Sequence, residues 1–301
     1  MTGSPAFPRF KSDDSQARYL AAYDAALQAW PVPFEALDLP TRFGPTHIIA
    51  SGPADAPPLV LLHSLAGTAL VWRPNVAALG QHFRVYAVDI IGQTGRSRAD
   101  RALRTRRDYA AWLADVLDRL GVARAALVGC SFGGFLALNQ ASLTPARVSK
   151  VVMISPAGTF VALSWRFALI MRTGALRRRI RRLLGDKRPP DIADLSGRRV
   201  KLDPADAAWR ALMGVTMAEA AKLNVINAPA LSQRELRRIR SPALLLIGEY
   251  ERLYEPQATL ALARQRMPAL ETELVPGADH IAAMAQPAWV NRRIIDFLSQ
   301  G

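Results

Sequence analysis

Ala125-Ala126-Leu127-Val128-Gly129-Cys130-Ser131-Phe132-Gly133-Gly134-Phe135-Leu136-Ala137-Leu138 reads as a buried strand, a tight turn and a helix in immediate succession. The strand is short and apolar, and a helix leaves the turn directly. At the turn the pattern is Gly-x-Ser-x-Gly, with Ser131 at the apex and Gly134 beyond it. A serine held on a sharp strand-to-helix turn projects its hydroxyl above the sheet, and larger neighbours would clash there, which is why glycines flank it. Ser131 is therefore the candidate nucleophile. Cys130 precedes the apex, where the side chain turns into the sheet, and reads as a packing residue.

Outward from this turn, strands and helices alternate. Strands are expected at 46–51, 59–62, 85–88, 125–129, 151–155, 243–247 and 271–275, and helices at 108–120, 132–143, 257–267 and 289–298. Repeated β-α units imply a mostly parallel sheet covered by helices on both faces. The alternation breaks between 157 and 233, where the pattern is helical and rich in Trp, Leu and Arg; this is expected to be a helical cap inserted into a core made of 1–156 and 234–301. Residues 1–40 read as an N-terminal extension. Its helix carries Tyr19, Leu20, Tyr23, Leu27 and Trp30 near one face and ends at Pro31 and Pro33.

A serine hydroxyl needs a base. Of the four histidines, His47 lies mid-strand, His82 follows a helix, and His63 ends a strand. His280 follows the last strand and precedes the last helix, on the same sheet edge as Ser131, and is the candidate base. The acid that orients it is expected after the strand 243–247, between serine and histidine in chain order. Glu251 is the choice there: Glu249 lies too close to the strand, and Glu255 is placed to serve a helix N-terminus. The oxyanion donors are expected to be the backbone N–H groups of Phe132, after the nucleophile, and of Leu65, in the loop His63-Ser64-Leu65-Ala66-Gly67.

These residues resemble those of bacterial carboxylesterases of the naproxen-esterase type, within the α/β-hydrolase superfamily. The likeness runs through nearly the whole chain. It includes Trp30-Pro31-Val32, Thr41-Arg42-Phe43-Gly44, Ala54-Asp55-Ala56-Pro57-Pro58, Tyr86-Ala87-Val88-Asp89-Ile90-Ile91-Gly92, Asp108-Tyr109-Ala110 with Trp112-Leu113, Gly248-Glu249 and Gln286-Pro287. The resemblance implies the α/β-hydrolase fold with a cap, a Ser131–His280–Glu251 triad with glutamate as its acid, and hydrolysis of a small-molecule carboxylic ester with neither metal nor organic cofactor. Two positions depart from the family pattern. Ser64 stands where glycine usually follows the oxyanion-loop histidine, and Asp279 stands where glycine usually precedes the catalytic histidine. A carboxylate at 279 could compete with Glu251 for the imidazole or raise its pKa. Lactonase, acyltransferase and carbon–carbon hydrolase chemistry use the same triad, and a non-catalytic ligand-binding protein could keep the same fold.

The 301-residue chain is half hydrophobic and carries a formal charge of +14, with one cysteine, so no intrachain disulfide forms. The N-terminus shows no apolar core of the secretory type, and a cytoplasmic protein is expected. No recognition module for nucleic acid accompanies the charge, and no stretch is suited to stable membrane insertion. The arginines Arg177, Arg178, Arg179, Arg181 and Arg182 surround an apolar stripe of Leu176, Ile180, Leu183 and Leu184. This is either a solvated helix face or a field that steers anionic substrates, partners or surfaces. Trp165, Phe167, Met171 and Trp209 are candidates for an apolar pocket or for ordinary cap packing.

Overall fold

The computed structural model describes residues 7–161 and 206–300. Among these, eight strands form one sheet: β1 (Phe34–Thr41), β2 (Gly44–Ser51), β3 (Pro58–Leu62), β4 (Arg84–Val88), β5 (Ala125–Cys130), β6 (Val148–Ile154), β7 (Ala243–Gly248) and β8 (Glu271–Val275). They lie in the order β8-β7-β6-β5-β3-β4-β2-β1. Pairing is parallel from β8 to β4, and β2 is antiparallel to both β4 and β1. The longer helices are α1 (Asp13–Leu27), α2 (Arg73–Leu79), α3 (Arg106–Arg119), α4 (Phe132–Leu143), α5 (Ala207–Glu219), α6 (Pro256–Arg266) and α7 (Pro287–Ser299).

The inner parallel strands β3, β5 and β7 are buried on both faces, as their apolar runs require. Val60, Leu62, Leu127, Leu245 and Ile247 point to one side, where they meet Trp112, Leu113, Val116 and Leu117 of α3. Leu59, Leu61, Val128, Leu244 and Leu246 point to the other, against Tyr19 and Tyr23 of α1, Val76 of α2 and Ile294 of α7. The Thr105 hydroxyl and the Asp108 carboxyl close a reciprocal cap at the start of α3. Among the described residues no helix is long and apolar enough to cross a membrane.

The sequence reading differs from the structure at Phe34–Thr41. Residues up to 40 are expected in the N-terminal extension, but Phe34–Thr41 forms the edge strand β1, paired with β2 along its whole length. Pro33 and Pro40 disguise it, but proline is tolerated on an edge. Only Leu37, Leu39 and Thr41 are half-buried, at alternate positions, so the apolar signal is thin. Helix α1 buries Ser15, Tyr19 and Tyr23 at successive four-residue steps, then Ala26. It rests against α5, and Arg9–Phe10 before it pairs antiparallel with Ala220–Lys222 after α5. Arg18 reinforces the contact with an ion pair to Glu219 at 3.0 Å.

Trp165, Phe167, Met171 and the arginines from Arg177 to Arg182 lie outside the described residues, as does most of the segment expected to form a cap. Trp209 is described, on α5, and is buried in the same apolar cluster as Tyr19, Leu70 and Trp72.

Candidate active site

Ser131 ends the β5 turn and begins α4 with φ 50° and ψ −113°. This is a conformation that a non-glycine residue holds only when its surroundings impose it. Three backbone bonds do so: the Ser131 N–H donates to Ile154 O at 2.9 Å, and its carbonyl accepts from Phe135 N at 3.1 Å and Ala157 N at 3.0 Å. The flanking glycines are sterically required. A Cβ at Gly129 would lie 2.2 Å from the Gly133 carbonyl oxygen, and one at Gly133 would lie 2.2 Å from Leu62 O and 2.6 Å from His63 O. The first turn of α4 thus sits directly on the loop that follows β3.

His280 comes from the loop after β8, and Glu251 from the loop after β7. The imidazole Nε2 lies 3.0 Å from Ser131 Oγ, and Nδ1 lies 2.7 Å from Glu251 Oε2. An ionised carboxylate can only accept, so Nδ1 carries the proton and donates to Glu251. Nε2 is then left bare to accept from the Ser131 hydroxyl. The His280 side chain is 24% exposed while that of Glu251 is 0% exposed, so a ligand can approach the imidazole while the acid stays sealed behind it.

The other carboxylate oxygen of Glu251 accepts the N–H groups of Arg252 at 2.8 Å and Leu253 at 3.0 Å. Burial works to raise the Glu251 pKa, but the charge and hydrogen bond of His280, the Leu253 N–H and the Ser155 hydroxyl outweigh it and hold it below the ordinary range. Burial likewise works to lower the His280 pKa, and the charge and hydrogen bond of Glu251, with the charge of Asp279, reverse this and raise it. Each partner thus stabilises the charged form of the other.

The remaining candidates fall as follows. Glu255 accepts from the Gln257 and Ala258 N–H groups at the start of α6, and Glu249 accepts from Gly277 N at 2.8 Å. Asp279 is buried and accepts from Ile281 N at 3.1 Å; Glu251, not Asp279, holds the imidazole, and Asp279 acts on it through charge. Cys130 is half-buried, and desolvation pushes its thiol pKa up, away from the thiolate a nucleophile needs. Phe132 is the first residue of α4, and Leu65 lies in the loop after β3. Among the described residues, neither of these two N–H groups is taken up by a backbone or side-chain acceptor.

The loop that holds Leu65 is braced by its own His63 and by Gln93 and Thr94, to which no sequence signal points. His63 is fully buried; its Nε2 accepts from Ile90 N at 2.8 Å and its Nδ1–H donates to Ser64 O at 2.7 Å, and desolvation lowers its pKa. Thr94 donates to Gly67 O at 2.8 Å, and the Ala66 N–H donates to Gln93 Oε1 at 3.2 Å. Just after β4, Asp89 is fully buried and accepts from Ala69 N at 2.7 Å, Arg96 N at 2.8 Å and the Tyr23 hydroxyl at 2.9 Å. Ser155 was missed as well. It ends β6 at φ 42°, fully buried, and its hydroxyl accepts from Gly248 N at 3.3 Å besides supporting Glu251.

The family model of the α/β hydrolase fold matches residues 57–287. Carboxylesterase YbfK of Bacillus subtilis (strain 168) is 37% identical over 299 residues, 97% of each chain. The uncharacterized carboxylesterase nap of the same organism is 35% identical over 291 residues, 95% of this chain and 94% of its own. The crystal structure of naproxen esterase (carboxylesterase NP) from Bacillus subtilis superposes with a TM-score of 0.83 at 34% identity, covering 96% of this chain and 100% of its own.

Proposed function

The chain belongs to the α/β-hydrolase fold family, and from that membership we propose that it is a carboxylic ester hydrolase working through an acyl-enzyme on Ser131. The observation that carries the reading is the unbroken line from Ser131 Oγ through His280 to Glu251, at 3.0 Å and 2.7 Å. Its likeness to carboxylesterases over nearly its full length supports the choice of ester as substrate.

His280 Nε2 takes the Ser131 proton as Oγ attacks the ester carbonyl carbon. The carbonyl oxygen becomes an oxyanion, and the N–H groups of Leu65 and Phe132 hold it. The imidazolium that forms is stabilised by Glu251 through Nδ1, then gives its proton from Nε2 to the departing alkoxide, which leaves as alcohol. Water enters, loses a proton to Nε2 and attacks the acyl carbon. Collapse of the second tetrahedral species returns the proton to Ser131 Oγ and releases the carboxylic acid.

Two measurements test this. Purified wild type should hydrolyse a short-chain p-nitrophenyl ester, and Ser131→Ala should lose that activity by at least about a thousandfold while its circular dichroism is unchanged. A fluorophosphonate should label the wild type at Ser131 alone, as read by peptide mass spectrometry. Labelling at Cys130, or turnover by Ser131→Ala near the wild-type rate, would refute the assignment.

A further inference from the structure

The peptide that follows Leu65 is tied to a distant segment through one buried side chain. Gln93 is fully buried just after β4. Its Oε1 accepts the Ala66 N–H at 3.2 Å, and its Nε2 donates to Asn224 O at 2.5 Å. Ala66 is held at φ 57°, a conformation that needs such support. Asn224 belongs to the arm that leaves α5 and runs back toward β7. Its N–H donates to Gly92 O at 2.8 Å; its side chain accepts from Leu103 N at 3.0 Å and donates to Leu103 O at 2.8 Å and the Tyr109 hydroxyl at 3.1 Å. Its carbonyl accepts the Tyr109 hydroxyl at 3.2 Å as well as Gln93.

A side-chain amide can serve both ends at once, its oxygen accepting an N–H while its NH2 donates to a carbonyl. We infer that Gln93 is a positioning residue for the oxyanion donors: it couples the seating of the Asn224 arm to the peptide that carries Ala66, and so sets where the neighbouring Leu65 N–H points. This rests on the ester-hydrolysis reading above. An oxyanion forms only along the reaction path, so a misplaced donor weakens the transition state and leaves substrate binding nearly untouched.

The experiment compares wild type with Gln93→Met, which keeps the buried volume and removes both hydrogen bonds, and with Asn224→Ala, which unseats the arm. Each variant should lose about tenfold to a hundredfold in kcat with little change in KM. Affinity for a trifluoromethyl ketone analogue should fall in step with kcat/KM. The double variant should lose no more than the worse single, because both changes break one chain of contacts. Wild-type kcat and analogue affinity in Gln93→Met would overturn the inference, as would losses that simply multiply in the double variant. If Gln93→Met unfolds, Gln93→Asn, a shorter amide, takes its place with the same expected split. If the wild type accepts the fluorophosphonate but turns over no ester, the ester reading fails. The same comparison is then made on the rate of phosphonylation, which also builds charge toward the oxyanion donors.

Discussion

Replacing Glu251 by glutamine changes one atom's chemistry, and the geometry dictates which atom. Glu251 Oε1 accepts two fixed backbone donors, from Arg252 at 2.8 Å and Leu253 at 3.0 Å. A glutamine amide placed there must keep its oxygen on those N–H groups, because its NH2 would face two donors. The NH2 is therefore forced toward His280 Nδ1, where it donates. Nδ1 then becomes an acceptor, the ring proton moves to Nε2, and Nε2–H points at Ser131 Oγ instead of accepting from it. The base is lost by tautomer alone. The imidazolium also loses its counter-charge: for charges about 4 Å apart at an effective dielectric of about 20, that is worth about 4 kcal/mol. At about 1.4 kcal/mol per decade this is a factor of about a thousand, and the wrong tautomer extends it toward about ten thousand. The assay is initial-rate hydrolysis of a p-nitrophenyl ester, with kcat and KM measured separately. KM should barely move, because the acid acts mainly in the transition state. A kcat within about tenfold of wild type would refute the reasoning, as would a larger loss in Asp279→Asn or Glu255→Gln.

The raised pKa of His280 sets a pH dependence, because the base must be neutral and is protonated below its pKa. The acid limb of kcat/KM should therefore lie above the ordinary histidine value of about 6.5. Asp279→Asn removes one of the charges that raise it, so the limb should move to lower pH with the plateau largely kept; a limb that stays put or moves up would count against the role of Asp279 charge. Tyr23→Phe removes the hydroxyl that donates to fully buried Asp89 at 2.9 Å, and should destabilise the fold by about 1–3 kcal/mol, read as a lower urea midpoint.

Ser131 and Glu251 follow strands with plain apolar runs, and His280 follows the weaker signal of Glu271–Val275; all three are legible as one group because strands of a parallel sheet deliver their ends to one edge. The candidate base and acid follow from residue type and chain order, and the structure brings them within hydrogen-bond distance of each other and of Ser131. The edge strand β1 was not legible: two prolines and a half-buried alternation make Phe34–Thr41 look like a linker, and only its pairing with β2 reveals it. Gln93 and Asn224 were not legible for a different reason. They are 131 positions apart, and neither residue type carries a signal without the other. The Tyr86 to Gly92 segment carries part of the family likeness, yet its physical content, a buried Asp89 bonded to α1, to Ala69 and to Arg96, depends on partners elsewhere in the chain.

Ser155 explains how Glu251 is aimed. Its N–H donates to Leu246 O at 2.8 Å and its hydroxyl accepts from Gly248 N at 3.3 Å, so the end of β6 is stitched to the end of β7. Ser155 holds φ 42° there, just past the parallel pairing of Val151–Ile154 with β7. The loop after β7 must then turn from a fixed origin, and the Arg252 and Leu253 N–H groups fold back onto Oε1. Oε2 is left facing His280 Nδ1, with the Ser155 hydroxyl helping to keep the carboxyl ionised despite its burial. A carboxylate held by several donors is restrained and restrains the imidazole bonded to it, whose Nε2 lies 3.0 Å from Ser131 Oγ. In the proposed mechanism Ser155, just past the end of a neighbouring strand, thus supports the carboxylate that orients the His280 ring.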